Sequence, residues 1–406
     1  MKTVLSVAVM SALSLSLPAT AKVESDKIIL GSAISITGKY SQEGKNAMDG
    51  YNLAVKRINE QGGVKVGGKT YKLEVKYYDD ESTPARTAQL LERLIRQDGI
   101  KFVLGPYSSG TTKAAAPITE KHQIPMVEAE GASRSLFTQG YKYMFAVLST
   151  SEQYLASAID LAAEVAKKSG KSPGDVRLAM AFENDPFSLD VRAGVLADAK
   201  KYGMDVVIDD KLPRDLSDMS ATLTKVKALK PDVLLVSGHT KGATTAARQI
   251  GEMGIEVPLV AMTHCESADL TGKFGKKANG ILCPTQWAET LSYEGKVFGS
   301  AGDYDKLFRK TYAEYETVPY QAAQASAAVV VWKDAFERAS SFDTGKLRDA
   351  LADTKMMTFY GPIDFGPAGN NIAKPMVLRQ IQNGEYNVVA PSKFASHKLD
   401  YHAAAK

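Results

Sequence analysis

Short apolar runs alternate along the chain with stretches in which apolar residues recur every three or four positions. Ile28 to Ile36 is the first such run, and it ends at Thr37-Gly38. Asn46 to Asn59 then places Ala47, Tyr51, Ala54 and Ile58 on one face of a helix that Gly62-Gly63 stops. Tyr71 to Asp79, Phe102 to Leu104 and Pro125 to Glu128 are predicted strands, separated by helices at Pro84 to Gln97 and Thr111 to His122. Strands that alternate with helices pair in parallel through crossovers, so the pattern predicts an α/β domain.

The pattern restarts at Leu178 to Glu183 and continues through Asp205 to Asp210, Val233 to Ser237 and Leu259 to Met262. Helices at Phe187 to Gly203, Met219 to Leu229 and Lys241 to Gly254 lie between these strands. Two series of this kind predict two lobes. A strand near Ile281 to Cys283 precedes helices at Asp303 to Glu316, Tyr320 to Ala339 and Thr344 to Asp353, too few strands for a third lobe. These helices are expected to complete the first. Gly361 to Asp364 and the Met376 to Val389 hairpin, turned at Asn383-Gly384, are expected to return to the second. The expected division is a signal peptide at 1–21, a first lobe of 22–147 with 284–359, a second of 148–283 with 360–395, and a tail at 396–406.

Composition narrows the functional classes. With 406 residues, 44% of them hydrophobic, the chain can bury a large core, and a net charge of +4 without a basic block gives nucleic acid no foothold. Lys2, the apolar Val4 to Leu17 and the small triplet Ala19-Thr20-Ala21 read as an export signal. Cys265 and Cys283 could pair in an oxidising compartment or remain buried thiols.

Candidate chemistry collects where strands end. After Phe102 to Leu104 the chain reads GPYSSGTTKAAAP, which puts Ser108 and Ser109 at the start of a helix whose free N–H groups attract anions. Helix capping alone would also explain these hydroxyls. After Pro125 to Glu128, Gly131, Ala132 and Ser133 supply a second loop of small residues.

Together with these loops, the stretches GSAISITGKYSQEGKNAMDGYNLAVKRINEQGGV, YYDDESTPARTAQLLERLI, PDVLLVSGHTKGATTAARQIGEMG and YGPIDFGPAGN resemble the type I periplasmic solute-binding proteins of ABC transporters, in the branched-chain amino acid (Leu/Ile/Val) family. The resemblance runs nearly end to end. It implies an α/β fold of two Rossmann-like lobes with parallel sheets joined by a three-segment hinge, and a periplasmic monomer that delivers a small solute to a membrane permease. It implies no catalysis, cofactor or metal. It places Ser109, Gly131, Ala132 and Ser133, with Ser108 and Tyr40 beside them, at the carboxylate of an amino-acid ligand. Phe187 and His239 would close from the second lobe, and Tyr320 falls at a cleft-lining position.

The family's acid for the ligand ammonium falls within MTHCESADL, on Cys265 or Glu266. Glu266 would serve a zwitterion; Cys265 would leave the ammonium unserved and point to an aromatic or other carboxylate. Glu43 is an alternative acid, or a solvated loop charge. His264 beside this pair lacks the further ligands zinc requires, and Trp287 is expected at a crossover, as hinge packing or cleft wall. For an enzyme, GPYSSG does not match the nucleophile elbow, the chain carries no GxxxxGK[ST] loop, and Ser109 with His239 would need a third, orienting group. A ligand-sensing module for a membrane receptor would share the fold.

Overall fold

The computed structural model describes residues 23–401, and the export-signal reading lies outside them. Two seven-stranded sheets organise the chain. In the first, Lys69–Asp79, Lys27–Ile34, Val103–Leu104, Met126–Glu128 and Met144–Ala146 lie side by side in parallel. In the second, Asp205–Leu212, Arg177–Glu183, Val233–Ser237, Leu259–Met262 and Leu282–Thr285 repeat that arrangement. In each series the first strand lies between the second and the third, so the strand order reverses there. Loops diverge at such a point and open a crevice beyond the strand ends.

Alternation along each strand explains the layering. Ile28, Leu30 and Ile34 face the helices Ser41–Glu60 and Tyr320–Ala339, while Ile29 and Ala33 face Pro84–Arg96 and Ser109–His122. In the second sheet Leu178, Met180 and Phe182 face one layer, and Ala179 and Ala181 the other. Helix Tyr320–Ala339 is buried along most of its length and lies close on Ser41–Glu60. That approach requires glycine: a Cβ on Gly50 would stand 2.2 Å from the Ala322 carbonyl oxygen.

The second sheet ends in an antiparallel hairpin, Val377–Gln382 with Glu385–Ala390, that pairs with Leu282–Thr285. Its turn residues Asn383 and Gly384 both have positive φ, as a two-residue hairpin turn demands. Residues 396–400, expected to be a tail, pack back on this hairpin through Asp400 N–H to Gln380 Oε1 at 2.8 Å. Residues 365–371 do not follow the second lobe as expected. Asn370 bridges to Ala146 and the Asn371 amide donates to Val147 O at 2.8 Å, which covers the free edge of the first sheet. Periodicity had also missed the helix Ala156–Lys168 and the strand Met144–Ala146.

The crossovers between lobes meet at one side chain. Gln286 Oε1 accepts from Ser149 N–H at 3.0 Å and from Tyr360 Oη at 3.2 Å, and its amide donates to Ser149 O at 3.0 Å. Lys374 Nζ donates to Gln286 O, and Ser149 Oγ donates to Lys374 O at 2.8 Å. All three crossing segments are thereby joined. Burial alone pushes the Lys374 ammonium down to about 7. Trp287, next in sequence, packs edge-on against Tyr304 and donates to Phe359 O at 3.1 Å, away from the cleft.

Candidate functional site

The carboxyl ends of both sheets face one another across a narrow polar pocket. Its first-lobe walls are Tyr107, Ser108, Ser109, Glu130, Tyr320, Gln321 and Gln324; Phe187, His239 and His264 come from the second lobe, and Tyr154 from beside the crossover. Ser108, Ser109, Phe187, His239 and Tyr320 are thus brought together, and the other expected residues take different places.

Ser108 has φ 87°, which a non-glycine residue adopts at a cost of about 1–3 kcal/mol. This turn aims Ser109 at the neighbouring loop. Ser109 Oγ accepts from Ala132 N–H at 3.2 Å and Ser133 N–H at 3.0 Å, and its own proton finds no acceptor among the described residues. Two N–H groups polarise that hydroxyl, which becomes a strong donor toward the pocket. Gly131, Ala132 and Ser133 therefore stand behind Ser109 instead of lining the pocket. Gly131 is small for a local reason, since a Cβ there would lie 2.4 Å from Thr112 Oγ1. Ser133 Oγ pairs with Ser135 Oγ at 3.1 Å.

Glu128 fixes this loop. Its Oε1 accepts from Gly131 N–H at 2.8 Å, and burial pushes the carboxyl up to about 7, against the pull of these hydrogen bonds. Thr112 Oγ1 lies 2.8 Å from Ser108 O and 3.0 Å from Glu128 Oε2, one proton facing two acceptors.

Glu130 is the acid the sequence reading passed over. It is 6% exposed, accepts from the Gln324 amide at 2.8 Å through Oε2, and leaves Oε1 without a partner inside the pocket. Burial, and then the nearby Glu128 and Glu43, hold its pKa well above the usual carboxylate range. Gln321 Nε2 is also unpartnered there. The signal lay in the sequence: Glu128 and Glu130 stand two apart where a buried strand meets a glycine loop.

Glu266 is elsewhere. Its Oε1 lies 3.4 Å from Arg379 Nη1, a buried pair whose guanidinium also reaches Glu289 at 2.5 Å. Burial raises the Glu266 pKa, against the pull of Arg379. Cys265 is bonded to Cys283 with the Cα atoms 5.7 Å apart, which ties the loop to the next strand and leaves His264, at φ 65°, as the residue turned to the pocket. The acid that lines the pocket is therefore Glu130, on the first lobe, and not Glu266.

Tyr40 packs on the far side of His239, with ring centroids 4.6 Å apart, and does not line the pocket. His239 Nε2 donates to Asp185 Oδ2 at 3.0 Å, and Tyr107 Oη lies 3.0 Å from both His239 Nδ1 and His264 Nε2. Burial works to lower the His239 pKa, but Asp185 outweighs it and the net shift is upward. Burial, and then the charge of His239, keep His264 neutral. Glu43 is fully buried and accepts from Thr240 N–H at 2.9 Å across the lobes. Lys39 Nζ reaches Glu183 Oε1 at 2.7 Å on the opposite lobe, a second contact across the cleft.

Residues 27–385 match the family model described as periplasmic binding protein. The chain belongs to the periplasmic binding protein family. This periplasmic binding protein is 23% identical over 379 residues to Leu/Ile/Val-binding protein homolog 8 of Brucella abortus, covering 91% of this chain and 92% of that one. Its fold resembles the branched-chain amino acid transporter substrate binding protein LivJ of Streptococcus pneumoniae, solved with isoleucine. That match has a TM-score of 0.76 and 23% identity, and covers 90% of this chain and 100% of LivJ. A solute binding protein of an ABC transporter from Rhodopseudomonas palustris BisB5, solved with 3,4-dihydroxy benzoic acid, also matches. Its TM-score is 0.76 at 20% identity, with coverage of 92% and 99%. These are solute-binding proteins of the ABC transporter type, not enzymes.

Proposed function

We propose that this protein is the periplasmic receptor of an ABC importer and that it captures a small α-amino acid with an apolar or aromatic side chain. The observation that carries this reading is the convergence of both sheets' strand ends on one pocket with an unused donor, Ser109 Oγ, and an unused acceptor, Glu130 Oε1. The hydroxyl serves a carboxylate and the acid serves an ammonium. Tyr154, Phe187 and Tyr320 give the side chain aromatic walls.

The ligand contacts both lobes only when the cleft is shut, so it shifts the population toward the closed form that a permease reads. Gln286 and the crossovers joined through it are the pivot. An ammonium beside Glu130 favours the ionised acid, so binding near neutral pH releases a proton. The same aromatic walls favour a second reading, an aromatic acid without an amine.

A thermal-shift screen of ligand-stripped protein against amino acids and aromatic acids tests the reading, because a ligand of the folded form raises Tm. A true ligand loses its shift in both Ser109→Ala and Phe187→Ala, which lie on opposite lobes. A shift retained in either variant removes that residue, and with it the two-lobe clamp.

A further inference from the structure

We propose that Glu43, His239 and His264 form a binding site for a divalent transition-metal ion that ties the two lobes together beside the ligand pocket. Donor atoms from the three residues all lie within 4.8 Å of one another, and all three residues are buried. They come from three separate places: the first turn of helix Ser41–Glu60 in the first lobe, and the loops after Val233–Ser237 and Leu259–Met262 in the second. Distance along the chain hid the cluster from sequence reading, which left His264 without companions.

Three features orient these donors toward one point. His239 gives its Nε2 hydrogen to Asp185, whose Oδ1 is fixed by Ser188 N–H at 2.8 Å, so Nδ1 is the nitrogen turned to the cluster. A carboxylate holding the far nitrogen in this way sets the tautomer of metal-binding imidazoles. Tyr107 Oη stands 3.0 Å from His239 Nδ1 and from His264 Nε2, so both nitrogens point to the same place. Glu43 uses one oxygen on Thr240 N–H, while Oε2 is buried without a hydrogen-bond partner. An unpaired buried carboxylate oxygen is costly, and a cation is the partner that relieves it.

Two imidazoles and a carboxylate suit zinc, nickel, copper or cobalt better than calcium or magnesium. Bonds of about 2.0–2.2 Å set tetrahedral donors roughly 3.4 Å apart, so the widest separation here contracts by at most about 1.4 Å on loading. The Tyr107 hydroxyl then turns aside or becomes the fourth ligand. Because His239, His264 and Tyr107 also line the solute pocket, the fourth position opens toward it. A second grouping, Glu183, Asp185 and His239, shares His239, but its acids are already engaged by Lys39, His239 and backbone N–H groups.

The test is calorimetric titration of chelator-treated protein with Zn²⁺ and with Ni²⁺, with bound metal counted by elemental analysis after desalting. One ion per chain is expected, with a Tm that rises with metal concentration. Glu43→Gln keeps the acceptor for Thr240 N–H, and it lowers affinity by about a hundredfold, as does His264→Ala. His122→Ala, which removes the surface His122–Glu92 pair, leaves binding unchanged. Absence of stoichiometric binding overturns the proposal. So does binding that survives both cleft variants or disappears with His122→Ala. If His264→Ala does not fold, Glu43→Gln alone decides.

Discussion

The two lobes share a strand order but differ in what their strand ends carry. At the reversal of the first sheet the loops hold Ser108, Ser109 and, one strand on, Glu130, all hydrogen-bonding groups on a backbone kept small by Gly105 and Gly131. At the same place in the second sheet stand Phe187 and His239, with His264 one strand on, and these rings pack on one another at 5.1–5.6 Å. One lobe offers hydrogen-bonding groups and the other aromatic rings. The repeated scaffold dictates where a site forms, and the loop residues dictate what it does there.

This contrast can be broken from either side. The largest effect belongs to the first-lobe loop. Glu128 is lifted from 4.5 to about 7 in the folded chain, so the stability it contributes is fully present below pH 4.5 and is lost as pH rises through 7. Wild-type protein should lose about 3 kcal/mol from this group between pH 4.5 and 8. Glu128→Gln, whose amide replaces the protonated oxygen, should match wild type at pH 4.5 and exceed it at pH 8 in denaturant titrations. A mutant with the wild-type pH slope would remove Glu128 as the cause.

Next in size is Ser109→Ala, expected to weaken ligand binding by about ten- to a hundredfold, the worth of a hydrogen bond to a charged group. Ser133→Ala, one layer behind, should change it by less than about threefold; equal losses would mean that the loop itself and not Ser109 meets the carboxylate. Glu130→Gln should cost roughly tenfold for an amino acid and nothing for its amine-free analogue, whereas Glu266→Gln should spare both and act on stability by removing one of the two acids that pair with the buried Arg379. The reverse pattern would return the ammonium to the second lobe. Smallest is Lys39→Ala, which removes the bridge from part-exposed Lys39 to the buried Glu183. Its effect on closure, read by small-angle scattering, should be about 1 kcal/mol and weaken only partly at high salt.

How far the sequence could be read follows from the same division. Strand runs such as Val233–Ser237, and the Asn383-Gly384 turn, are local signals, and they stand where periodicity put them. Ser109 was reachable because strand ends meet the cleft, whereas Phe187, His239 and Tyr320 came from the family resemblance. Glu266 was not reachable, because neighbours in sequence point to different sides of a loop: on either side of the bonded Cys265, His264 lines the pocket and Glu266 meets Arg379. Gln286 was invisible for another reason: its partners Ser149, Tyr360 and Lys374 arrive from distant segments. Glu43 looked like a loop charge, yet Gly44, whose Cβ would collide with Ser35 O at 1.8 Å, brings that helix start against the strand end and buries it.

The central claim, a clamp with a carboxylate donor and an ammonium acceptor on the first lobe, is tested most directly by calorimetry of ligand-stripped protein with matched triplets. Leucine would be compared with 4-methylpentanoate and 3-methylbutylamine, and phenylalanine with 3-phenylpropanoate and phenethylamine. The account predicts that at least one amino acid binds about tenfold or more tighter than both of its partners, with a proton released on binding near neutral pH. An acid that binds as tightly as its amino acid, with no proton released, would contradict it.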